Sequence, residues 1–500
     1  MKLLILGIDA LDRILVDRFA DKLPNISKLR KEGEFLRVKS TFPPDSDTAW
    51  ATIMTGLNPA QHGVVRFVDP LEKSYQILNK NSDNTALHGR TFWEIVAQHG
   101  YKTCAIFPHF CYPLWESPSA MVVRGSSIAN VQSYPPELLK EYPHPEIMVG
   151  VRGFPDRSYT GMKAYSKKLK MLAEADAEFV LRLLSKQDWD LFFAYWSTID
   201  AVGHFFWNYY DADNPNFIPG HPLQDVILNT YQLYDDIIGR IVAAVDSNVS
   251  VMVLSDHGHG KRPMTLTNIN EILRRGGLLV TRDIKNNPHI HFFEKGKRLT
   301  VRSISRYGLG RLAGRIMRNF PDVVQTFTRP ASVDWERTCA FATDMSGVKA
   351  YSYGGVLVNP TKLNDRDYEE ICTEVIRIME QMCRLPDGTS LIEWIARRED
   401  VYQGPYINNY QDIVLELIYG YGLGWNLHVP LLTQADSFNL VPGSHRGDTG
   451  TFLFRGEPKI KPGAVDLLDI TPTILDLFGI PMDYAYQGKP LFKTSDRVTA

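Results

Sequence analysis

Several things are scarce in this 500-residue sequence, and each scarcity removes a class of protein. No apolar run approaches the roughly 18 residues that a membrane-crossing helix needs, so no helical span is expected. Cysteine is sparse: Cys104, Cys111, Cys339, Cys372 and Cys383 are odd in number, scattered and without paired metal-ligand spacing. A disulfide scaffold and a cysteine zinc site are both excluded, and reduced thiols are expected. Charge of one sign is lacking too. The 55 basic and 57 acidic residues nearly cancel, which gives no global case for nucleic acid or an acidic tail. The first apolar run, Leu3–Ile8, is too short for a secretory core and meets Asp9 at once. Neither internal repeats nor low-complexity tracts occur. The expectation is a cytoplasmic protein.

What is present is a globular composition, 44% hydrophobic and 22% charged, in a chain long enough for one large domain with insertions. Leu3–Ile8, Thr103–Phe107, Leu191–Trp196 and Ser250–Leu254 read as buried strands. Helical patterns separate them: one carrying Leu15, Phe19 and Leu23, a start at Pro24, then Thr91–Gly100, Met162–Lys186 and Leu223–Val245. Residues 112–160 read as an irregular excursion. The alternation predicts an α/β fold built on a doubly wound, mostly parallel sheet.

From about 261 the pattern changes. Lys295 to Arg318 carries eight basic residues and no acidic one, with apolar positions interleaved, as in a solvated face or a basic amphipathic helix. Residues 346–429 suggest a small α+β unit with strands near Gly355–Val358 and Ile413–Leu417 and a helix Tyr368–Met382. The main pattern then returns with a strand Thr451–Phe454 and a helix Ala464–Phe478. The expected division is a discontinuous core, 1–260 with 430–495, a cap insertion at 261–345 and the α+β unit at 346–429.

The stretch from Thr41 to Gly63 is the most informative. Pro43 and Pro44 hold the chain extended, Ser46 falls at a helix N-cap or first turn, and Gly56 ends the helix. A serine there lies in the positive field of the helix start. Six metal-ligand residue types stand at or just beyond predicted strands: Asp9, Asp200, His204, Asp256, His257 and His445. Parallel strands carry such residues to one sheet edge, and Asp200 and His204 share a helix face at i, i+4. Mixed carboxylate and imidazole donors suit zinc or manganese better than magnesium or calcium. Two such cations can clamp the attacking and leaving oxygens of a phosphoryl transfer. His259, His62, His289, His291 and His428 are set aside as structural.

The motifs Gly7-Ile8-Asp9-Ala10, Pro43-Pro44-Asp45-Ser46-Asp47-Thr48-Ala49-Trp50, Thr55-Gly56-Leu57-Asn58-Pro59, His62-Gly63, Asp200-Ala201-Val202-Gly203-His204, Ser255-Asp256-His257-Gly258 and Gly443-Ser444-His445-Arg446 occur in this order. In them the sequence resembles the alkaline phosphatase superfamily, in its type I phosphodiesterase/nucleotide pyrophosphatase branch. The resemblance implies that Ser46 is the nucleophile and forms a covalent phospho-enzyme. It implies one cation held by Asp9, Ser46, Asp256 and His257, and a second held by Asp200, His204 and His445. The expected activity is hydrolysis of a phosphodiester or phosphoanhydride bond in a small phosphorylated substrate. The alternatives are a phosphomonoesterase, phosphonate hydrolase or phosphomutase on the same scaffold, or a non-catalytic binding member. Two departures stand out: Ser46 replaces the threonine usual in the animal enzymes, and Phe67 stands where they carry an asparagine that helps hold a phosphoryl oxygen.

Overall fold

The computed structural model describes residues 1–64, 89–109, 120–124, 131–145, 155–282, 332–342, 351–361, 366–435, 440–460, 463–482 and 486–492, with isolated positions between. Among these, nine strands form the central sheet, in the spatial order Val465–Asp466, Glu34–Lys39, Gly450–Arg455, Ser250–Leu254, Leu3–Ile8, Leu191–Trp196, Thr103–Ile106, Ala120–Arg124, Gln132–Tyr134. The five strands from Ser250–Leu254 to Ala120–Arg124 run parallel, and Gly450–Arg455 lies antiparallel to both its neighbours.

Alternation along the central strand builds a core on each face. Leu4, Leu6 and Ile8 enter one cluster, Leu3 and Ile5 the other, all at most 1% exposed. The first is covered by the helices Pro24–Glu32, Tyr159–Lys186, Thr198–Tyr210 and Val226–Ala243. The second is covered by Ser46–Thr55, Phe92–Gln98 and Ile470–Leu477. This is the expected mostly parallel α/β sheet.

The parallel strands point their carboxyl ends the same way, which collects Asp9, Thr198–His204 and Asp256 along one edge. A second, antiparallel sheet of Ala340–Ala342, Tyr353–Val358, Ile413–Leu417 and Ile392–Arg397 carries the helix Tyr368–Met382 and a third core. That helix starts at a reciprocal cap in which Asp367 and Glu370 each accept from the other's backbone N–H.

Some local expectations change. Residues 112–160 are not wholly irregular: Ala120–Arg124 and Gln132–Tyr134 extend the main sheet. The expected helix Ala464–Phe478 opens instead with the short strand Val465–Asp466, and Asp466 caps a tight turn before the helix at Ile470. Glu34–Lys39 and Ile392–Arg397 are strands that alternate weakly and are only part-buried, so their pattern is faint. Most of the basic stretch 295–318, together with Phe67, lies outside the described residues. Among the described residues, no helix is long and apolar enough to cross a membrane.

Candidate active site

Ser46 is the first residue of the helix Ser46–Thr55. The cap itself is Asp45, whose carboxylate accepts from Asp47 N, so the Ser46 side chain is not spent on capping. Ser46 is part-buried, whereas Pro43 to Asp45 before it and Asp47 to Thr55 after it are buried. Its Oγ lies 3.4 Å from Asp9 Oδ1 and 3.2 Å from His257 Nε2.

Asp9 follows its strand and is 1% exposed. Its Oδ2 accepts from Tyr195 OH at 2.6 Å and from Trp50 Nε1 at 3.2 Å, which leaves Oδ1 turned to Ser46. Trp50 reaches across because Gly7 stands beneath it: a Cβ there would lie 2.7 Å from the indole. Ala10 has a left-handed backbone (φ 59°), a strained choice for alanine, and its N–H donates to Asp256 Oδ1 at 3.2 Å. Burial, reinforced by the carboxylates of Asp256 and Asp200, pushes the Asp9 carboxyl well above its usual range. Asp256 is pushed up as well, by burial against the opposing pull of His257.

The donors fall into two groups, Asp9, Asp256 and His257 in one and Asp200, His204, His259 and His445 in the other. In each group the donor atoms lie within 4.8 Å of one another. Three imidazoles are oriented alike. His257 Nδ1, His204 Nδ1 and His445 Nδ1 lie 2.9, 3.2 and 2.9 Å from the carbonyls of Gly258, Gly443 and Pro44, and a carbonyl only accepts. Each ring therefore donates through Nδ1 and turns Nε2 inward, the usual arrangement for a ligating histidine. His204 Nε2 and His445 Nε2 lie 2.9 Å apart, so two ring lone pairs face each other unless a proton or cation sits between them. Asp256 Oδ2, fully buried, has no hydrogen-bond donor among the described residues and lies 3.2 Å from His257 Nε2. Asp9 and Asp256, buried and with no lysine or arginine ion pair among the described residues, and the converging imidazole lone pairs fit divalent cations.

All six sequence-identified ligand positions and Ser46 are thus drawn together. His259, set aside in the sequence, joins the second group: its Nε2 is 3.8 Å from Asp200 Oδ1 and its ring packs edge-on to His204. The signal was its alternation with His257, which places both rings at the same end of the strand Gly258–Lys261, paired through His259 with His445. His62 is a satisfied core residue. It accepts from Val64 N through Nδ1 and meets Thr52 Oγ1 through Nε2. His289 and His291 lie outside the described residues. Tyr195 and His109 were not singled out in the sequence, because an aromatic residue in a buried strand looks like core and a lone histidine just beyond one carries no motif; Trp50 entered only as part of a motif.

Residues 3–421 match the family model described as type I phosphodiesterase / nucleotide pyrophosphatase. The chain belongs to that family. This member of the type I phosphodiesterase / nucleotide pyrophosphatase family is therefore a hydrolase on an alkaline phosphatase-like scaffold. Its fold is similar to murine ectonucleotide pyrophosphatase / phosphodiesterase 5, solved as an inactive form in complex with AMP. That match has a TM-score of 0.51 and 13% identity, over 98% of this chain and 97% of that one. The human counterpart matches with a TM-score of 0.50 and 14% identity, over 98% and 97%. At such identities the likeness concerns the fold alone. No curated protein matches the sequence.

Proposed function

We propose that this family member hydrolyses phosphodiester or phosphoanhydride bonds through a covalent phosphoserine at Ser46, with two divalent cations, zinc or manganese, held by the two donor groups. The observation that carries this reading is the position of Ser46 Oγ, within 3.4 Å of both Asp9 Oδ1 and His257 Nε2 at the start of a helix. Asp9, Ser46, Asp256 and His257 would hold one cation. Asp200, His204 and His445 would hold the other, with His259 alongside. When bound, the cations supply positive charge that lowers the pKa of the serine hydroxyl and of water and neutralises the leaving oxygen.

In the first half-reaction the Ser46 hydroxyl gives up its proton to water, Oγ bonds to phosphorus as the bond to the leaving oxygen breaks, and that oxygen takes up a proton from water. In the second, water oxygen replaces Ser46 on phosphorus and the serine regains its proton. Asp9 orients the hydroxyl, and the helix start favours the negative charge that develops there. The AMP complex of the murine structural neighbour supports a small phosphorylated substrate for this chain also. The division into a core of 1–260 with 430–495, a cap insertion and a small α+β unit is part of the same proposal. It is supported by the return of Gly450–Arg455 to the central sheet. The cytoplasmic placement is part of the same proposal and rests on the sparse, scattered cysteines of the sequence.

The test is parallel hydrolysis of bis-p-nitrophenyl phosphate and p-nitrophenyl phosphate, with zinc and then manganese. Preference for the diester, absent in Ser46→Ala, is the expected result. Preference for the monoester would move the protein to the phosphatase or mutase side, and diester turnover by Ser46→Ala would end the phosphoserine reading.

A further inference from the structure

A closed ring of contacts joins the nucleophile to Asp9 without using either donor group's imidazoles. From Ser46 Oγ it passes to Asp9 Oδ1 at 3.4 Å, then from Asp9 Oδ2 to Tyr195 OH at 2.6 Å. It continues from Tyr195 OH to His109 Nδ1 at 3.0 Å and from His109 Nε2 to Asp47 Oδ1 at 3.0 Å. Asp47 is the residue after Ser46, so the ring closes through one peptide bond. The directions are fixed by chemistry. The Tyr195 hydroxyl gives its proton to Asp9, so His109 Nδ1–H donates to the tyrosine oxygen and Nε2–H to the Asp47 carboxylate, and the closed ring requires both imidazole nitrogens to carry a proton. Both ring nitrogens of His109 are thereby engaged, which leaves this side chain a positioning role rather than contact with the phosphoryl group.

The backbone is built to deliver His109 there. It follows the strand Thr103–Ile106, the neighbour of the strand that carries Tyr195. Phe107 has φ 57°, a left-handed conformation that a bulky side chain rarely adopts. The His109 and Asp47 side chains are 15% and 10% exposed, enough to border the site while shielded from bulk water. The Tyr195 ring stands edge-on to both Trp50 and His109, at centroid distances of 4.8 and 5.4 Å.

We propose that His109, through Tyr195 on one side and Asp47 on the other, is a positioning residue that holds Asp9 and the first turn of the Ser46 helix in mutual register. The proposal rests on the phosphoserine reading. A displacement of about 1 Å between a nucleophile and its partner group can cost on the order of a hundredfold in rate. A loosened ring therefore acts on kcat and leaves ground-state substrate binding almost untouched.

The test is a double-mutant cycle on the full chain with bis-p-nitrophenyl phosphate and p-nitrophenyl phosphate, using His109→Leu, Tyr195→Phe and the pair. Ser46→Ala serves as reference, and bound metal is measured in every variant. Two conservative variants split the ring: His109→Asn keeps a donor near Tyr195, and His109→Gln keeps one near Asp47. The expected result is a fall in kcat of roughly tenfold or more in each single variant, with KM changed less than twofold and metal content unchanged. The pair should be no worse than the poorer single variant, and His109→Asn should recover part of the loss. Additive losses, a rise in KM alone, or loss of metal alongside kcat would overturn the proposal. So would wild-type kcat in His109→Leu. Turnover by Ser46→Ala would instead overturn the phosphoserine reading. Crystals of His109→Leu give an arm independent of turnover: Tyr195 OH and Ser46 Oγ should leave Asp9, and unchanged positions would reject the ring.

Discussion

Glu271 and Asp9 are both carboxylates about 1% exposed, and their surroundings treat them in opposite ways. Glu271, in the helix Ile269–Arg275, accepts two bonds from Arg274, one from Arg275 and one from His428 N. Burial alone would raise its pKa, but those donors hold it down to about 2. Among the described residues Asp9 accepts from neutral donors, Tyr195, Trp50 and Ser46, and burial reinforced by the carboxylates of Asp256 and Asp200 pushes its carboxyl well up. A carboxylate that serves the fold is given its cations by the chain. Among the described residues, the carboxylates Asp9 and Asp256 beside Ser46 have no lysine or arginine in an ion pair, a deficit of positive charge that a bound divalent cation would supply.

The largest effect that tests this contrast is chemical. Ser46→Ala should lower kcat by roughly a thousandfold or more on a diester while metal content stays close to wild type; normal turnover would remove Ser46 from its role. Next, His445→Ala should reduce tightly bound zinc, read by elemental analysis after dialysis, from two per chain toward one. Retention of both would show that His204, Asp200 and His259 suffice.

Smaller effects concern stability. Glu271→Gln should cost on the order of 3 kcal/mol at pH 7, measured by denaturant unfolding. The folded-state pKa is depressed, so Glu271 stabilises the fold above its ordinary value and loses that contribution as pH falls from about 4.5 toward about 2. Asp9→Asn should do the reverse in the metal-free protein, raising stability at pH 8 by roughly 1–3 kcal/mol because a buried uncompensated charge is gone. The folded-state pKa of Asp9 is raised, so metal-free wild type should weaken as pH rises through that value, and Asp9→Asn should not. Saturating zinc should cancel the difference. If Asp9→Asn is the less stable metal-free protein at every pH, the deficit reading fails.

Parts of this were legible in the sequence for a definite reason. A parallel sheet converts strand ends into neighbours, so Asp9 after Leu3–Ile8 and Asp256 after Ser250–Leu254 could be placed together before any coordinates. The i, i+4 spacing did the same for Asp200 and His204. What sequence could not reach depended on orientation. His259 and His62 look alike as letters, yet one ring enters a donor group and the other fills its needs with Val64 and Thr52. His109 also follows a parallel strand, but its partners Tyr195 and Asp47 read as core and helix. The strand Glu34–Lys39 was missed because its alternation is weak and its burial partial.

The short ribbon that pairs Gly258–Lys261 with Gly443–Arg446 has a further meaning for how the chain is threaded. Arg262 N donates to Pro442 O at 3.0 Å, so the chain leaves the ligand-bearing ribbon and re-enters it at one point. Everything from 262 to 442 is, in connectivity, a single long loop whose two feet already touch. Closing those feet with a few residues would demand little of the backbone, since closure entropy changes only slowly with loop length. That loop can therefore change in length while His257 and His445 keep their places beside the ribbon at its feet.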